Sequence, residues 1–164
     1  MYKKVIYALL PICVMGLIFI ASSQPYEQQD LRPAMNLYLP LDFLKPVLEP
    51  ISVTYKGELI SVATRGVDGM IEFFIRKAAH VTVFFLLMVT TYLAFEKNTS
   101  WRFQVKLFVS FLITVIYAGF DEYHQSLTPN RTPYIGDVVL DSIGGLLGCS
   151  LIVFLYCKGS VKFP

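Results

Sequence analysis

Four apolar stretches divide this chain of 164 residues, and each is close to the ~20 residues that a helix needs to cross a hydrocarbon core about 30 Å thick. The first, VIYALLPICVMGLIFIA, runs from Val5 to Ala21, and the second, AAHVTVFFLLMVTTYLAF, from Ala78 to Phe95. The third is drawn from Phe103 to Phe120, with Trp101 as an interfacial anchor, and Gln104 and Lys106 place its first turn among headgroups. The fourth runs from Ile135 to Cys157. A hydrophobic share of 55% and a mean hydropathy of +0.57 exceed what a soluble domain carries. The expected fold is therefore an all-α membrane protein of four transmembrane helices, forming a single domain over residues 1–164.

Composition excludes some functions. A net charge of +2 provides no broad cationic field, so nucleic acid is not an expected partner. Cys13, Cys149 and Cys157 all lie inside apolar stretches, where they read as small packing residues. Lys3 and Lys4, the first apolar run and Ala21-Ser22-Ser23 together imitate a cleavable signal peptide. A retained helix is the simpler reading, because the run is long for a signal and three further spans follow it.

Basic residues near helix ends set orientation. The N-terminus, the connection between the second and third spans and the C-terminus share one side, with Lys3, Lys4, Lys97, Arg102, Lys106, Lys158 and Lys162 against Glu96. The other side has as many cations, but they are diluted through a long loop and offset by acids. Both termini are therefore expected in the cytoplasm of a multi-pass cell-membrane protein.

The loop over residues 22–77 reads as a structured external cap. Prolines at 33, 40, 46 and 50 limit any helix to short pieces, which Leu37, Leu41, Leu44 and Leu48 suit to lying on a membrane surface. SVTYKGELISV alternates around Lys56-Gly57 and predicts a β-hairpin with a two-residue turn. A second amphipathic segment follows Gly69, with Met70, Phe73 and Phe74, and leads through Arg76-Lys77 into the second span.

Ionisable groups at membrane depth are costly unless paired or wet, so each marks a candidate site. They are His80 in the first turn of the second span, Asp121 and Glu122 at the end of the third, and Asp137 and Asp141 in the fourth. The topology gathers all of them at one membrane face. Helical spacing groups Asp121 and Glu122 with Gln125, and Asp137 with Asp141. Between the two groups, Arg131 either clamps an acid or meets an anionic headgroup with its planar fork of donors. Structural alternatives are a hydrogen-bonded His80, an Asp137 that merely caps the fourth helix, and a surface His124. Gly144, Gly145 and Gly148 offer a small-residue face for close helix packing.

The run DEYHQSLTPNRTPYIGDVVLDSIGGLLG, with RKAAH before it and SSQP after the first span, resembles the VanZ-like membrane proteins. Lys77, His80, Asp121, Glu122, Gln125, Arg131, Asp137 and the glycines fall on that family's motif. Asp141 departs from it, since many relatives carry Asn there. The resemblance implies a link to sensitivity toward teicoplanin-type glycopeptides, as for the family's namesake in Gram-positive bacteria. The expected function is a cell-envelope protein whose external polar pocket, formed by these residues and Asp141, binds a membrane lipid or lipid-linked cell-wall component. The alternative is a membrane enzyme in which His80, Asp121 and Glu122 perform acid–base chemistry on such a lipid, with or without a divalent cation held by the acids. No ligand spacing is diagnostic of a metal, and no cofactor is expected.

Overall fold

A computed structural model describes residues 2–38, 40–129 and 131–159. Lys162, one of the cations used for orientation, lies outside them. The elements are α1 (Tyr2–Ser22), α2 (Arg32–Tyr38), α3 (Lys45–Leu48), β1 (Ser52–Tyr55), β2 (Glu58–Ser61), α4 (Val62–Asn98), α5 (Phe103–Ser126) and α6 (Ile135–Cys157). They divide into two compact units, one of Met1–Pro25 with His80–Pro164 and the other of Tyr26–Ala79.

The first unit contains α1, the C-terminal part of α4, α5 and α6. All four parent helices are long and apolar enough to cross a membrane. Their outward residues are apolar too: Leu9, Ile12, Phe108, Ile116, Val139 and Leu147 are exposed. In water such a surface would drive aggregation, whereas in lipid it is solvated. Inside, Ile18, Phe84, Leu87 and Ala118 form one buried cluster, and Met88, Tyr92 and Ile152 form a second that Cys149 packs against. The Tyr117 hydroxyl donates to the Met15 carbonyl at 2.7 Å, tying α5 to α1.

Glycine sets how closely α6 approaches its neighbours. A Cβ on Gly144 would collide with the Val81 carbonyl oxygen of α4, and one on Gly148 would stand 2.8 Å from Met88 Cγ. Gly145 faces α5, where a Cβ would meet Thr114 Cγ2 at 3.1 Å. The small-residue face is thus shared between two partner helices. Cys13, Cys149 and Cys157 are all free thiols, with Cys13 and Cys157 exposed on helix surfaces.

In the first turn of α5, Lys106 is buried: its Nζ meets Glu96 Oε2 at 2.9 Å, and Glu96 also accepts from the Tyr92 hydroxyl at 3.3 Å.

The second unit contains the hairpin. β1 and β2 pair antiparallel, with Val53 opposite Ile60 and Tyr55 opposite Glu58. Lys56 (φ 53°) and Gly57 (φ 80°) both take positive φ, as a type I′ turn requires for its twist to match the strands. Ser61 then starts α4: its Oγ accepts the Thr64 N–H at 3.3 Å while Thr64 Oγ1 accepts the Ser61 N–H at 3.0 Å. The helical φ/ψ run is interrupted once, at Gly66, after which the amphipathic segment and the second span are one continuous helix, longer than the apolar run alone predicts. Ile60, Met70 and Phe73 make the core, and Leu48 packs against it. Leu48 is therefore part of this core, while Leu37, Phe43 and Val47 are the exposed apolar residues of the proline-limited pieces.

Candidate functional site

The site grows from the C-terminal end of α5. That helix continues past the apolar run to Ser126, so Asp121, Glu122 and Gln125 lie on its last two turns and are all buried. Gln125 Nε2 donates to Asp121 Oδ2 at 2.7 Å, the i,i+4 bond that the spacing predicts. The other carboxylate oxygen, Oδ1, accepts from the Ser22 hydroxyl at 2.5 Å, at the last residue of α1. Ser22 is held in turn, since its carbonyl accepts from Thr128 Oγ1 at 3.0 Å.

Arg131 closes this ring from the α5–α6 connection. Its Nη1 donates to Gln125 Oε1 at 3.0 Å and its Nη2 to the Gln24 carbonyl at 3.1 Å. Burial pulls the guanidinium's pKa down, while the Asp121, Glu122 and Asp137 carboxylates oppose that shift. Gln125 thus links Arg131 to Asp121.

α6 begins at Ile135, and its opening backbone is served from α5. The Tyr134 N–H donates to Glu122 Oε1, so Glu122 satisfies a donor that a helix start leaves open. Asp137 is the third residue of α6 and buried, with Tyr134 in the capping position. It is not the N-cap considered from sequence, because the helix starts two residues earlier. A carboxylate in a first turn is still favoured by the helix dipole.

One turn deeper, Asp141 is 1% exposed. Its Oδ1 lies 3.3 Å from His80 Nδ1 on α4, and among the described residues neither carboxylate oxygen has a hydrogen-bond partner. His80, Asp121 and Asp141 each present a donor atom within 4.8 Å of the others. Three helices thus converge on one point.

Within its own unit, the Lys77 ammonium donates to the Tyr55 hydroxyl and lies 4.1 Å from the Tyr55 ring centroid. His124 is not a plain surface residue: it is half-buried and stacks on Phe19 with ring centroids 4.1 Å apart and planes 10° apart. Sequence reasoning passed over Ser22, Gln24 and Thr128. Ser22 and Gln24 stand in the SSQP run just past the first span, and a polar run at that depth was the available signal.

The fold and this cluster define a class: a protein fit to cross a membrane several times, with a buried polar site at one end of its helices. The family model described as VanZ/LLP1 matches residues 7–156, and the chain belongs to that family. No curated protein and no solved structure matches it.

Proposed function

We propose that the polar end of the four-helix unit binds the headgroup of a membrane lipid or of a lipid-linked cell-wall component, on the outer face of the cell envelope. The observation that carries this reading is the ring of Ser22, Asp121, Gln125 and Arg131, drawn from α1, α5 and the connection before α6. Polar groups at this depth are costly, and a preorganised ring with a half-buried guanidinium suits an anionic, hydrogen-bonding headgroup. Lowered sensitivity to teicoplanin-type glycopeptides is the cellular effect such binding would have.

A second reading has its own support. With His80 Nδ1 facing Asp141, the imidazole is oriented as a general base would be, which favours acid–base chemistry on the same lipid. Native mass spectrometry of protein extracted with its lipids separates the two. A lipid retained intact by the wild type and lost from Arg131→Ala supports binding, and a chemically altered lipid supports the enzyme. Equal lipid retention by Arg131→Ala would overturn the headgroup reading.

A further inference from the structure

We infer that His80, Asp121 and Asp141 form a binding site for a divalent first-row transition-metal ion of the Zn2+ or Mn2+ kind. Donor atoms that share a tetrahedral ion at about 2.0–2.2 Å lie roughly 3.3–3.6 Å apart. The three available here fall within 4.8 Å of one another, with His80 Nδ1 and Asp141 Oδ1 already 3.3 Å apart, so side-chain adjustment on the order of an ångström gathers them. They come from α4, α5 and α6, which glycine contacts pack closely just below. The sequence carries no diagnostic ligand spacing, so a metal is not the expectation there.

A second, independent observation points to a ligand. Asp141 is almost wholly buried, yet both its oxygens lack a hydrogen-bond partner among the described residues. A carboxylate sealed from water takes up a proton or gains a compensating charge, and an ion between it and His80 would supply that charge. Each Asp121 oxygen already accepts one hydrogen bond, from Ser22 and from Gln125, which fixes the carboxylate in place. Charge agrees. Asp121, Glu122, Asp137 and Asp141 gather at one end of the unit, and a group of carboxylates favours a divalent cation.

The donor set selects the ion. One imidazole and two carboxylates suit Zn2+ or Mn2+ better than Ca2+, which takes six or more oxygens, or Mg2+, which retains its waters. Three protein ligands leave at least one coordination position open, as in sites where a metal meets a substrate or water. The site stands on its own geometry and does not depend on which lipid, if any, binds above it.

The test uses the full chain in detergent, stripped with a chelator and titrated with Zn2+ and separately with Mn2+. Calorimetry and elemental analysis should find one ion per chain, with a rise in Tm on binding. Asp141→Asn and His80→Ala should each weaken binding by at least about 100-fold, while His124→Ala should leave it unchanged. In the stripped protein, Asp141→Asn should not lower Tm, since it removes an uncompensated charge. No stoichiometric ion in the wild type, or undiminished binding by Asp141→Asn, would overturn the site. A Tm that Asp141→Asn lowers equally with and without metal would reduce the cluster to a structural histidine–carboxylate pair.

Discussion

The two ends of the four-helix unit bury ionisable groups in opposite ways. At one end, Lys106 and Glu96 meet at 2.9 Å with Tyr92 as a further donor, one cation for one anion. At the other, Asp121, Glu122, Asp137 and Asp141 gather with Arg131, and among the described residues Asp141 has only His80 within ion-pair distance. Both arrangements remove charge from water, which costs several kcal/mol per ion before compensation. The first returns that cost within the protein and reads as architecture. The second is where the proposed ion or headgroup would add compensating charge.

Which end faces out of the cell is the sharpest way to break this comparison. Single cysteines at Leu127, beside the acids, and at Ser100, beside the Lys106–Glu96 end, are introduced after replacement of the natural cysteines. The first should react with an impermeant thiol reagent on intact cells and the second should not, as the basic residues near the helix ends imply. Reversed labelling would move the acid cluster to the cytoplasmic face and end the proposal of an outer-leaflet ligand.

Next in size is the compensated pair. Lys106→Met should destabilise the protein by about 3–5 kcal/mol, because it leaves Glu96 buried and unpaired. Adding Glu96→Leu should recover most of that loss, and thermal unfolding in detergent reads both. If the double variant is as unstable as the single one, the pair has a role beyond mutual neutralisation.

A smaller effect is expected at Gly144, three residues past Asp141. A methyl group there meets the Val81 backbone carbonyl, which cannot swing aside as a side chain would, so Gly144→Ala should cost about 1–3 kcal/mol. The same change separates α6 from α4 and should weaken metal binding at His80 and Asp141. A Gly144→Ala protein with unchanged metal affinity would mean that the cluster does not depend on this close approach.

The sequence by itself determined the four spans, the hairpin and its turn, and the gathering of acids toward one end. These follow from local rules: the length of an apolar run, alternation about Lys56-Gly57, and the i,i+4 spacing that joins Asp121 to Gln125. The tertiary structure alone decided the partners. Ser22 meets Asp121 across ninety-nine positions, Lys106 turns inward to Glu96, and Glu122 serves the start of α6. Each depends on the rotation of one helix about its axis relative to the next. Nothing in a run of lipid-compatible residues fixes that phase, because lipid solvates every side of such a helix alike. The packing fixes it, through glycines that bring α6 against α4 and α5, and so brings a histidine and two aspartates from three helices within reach of one ion.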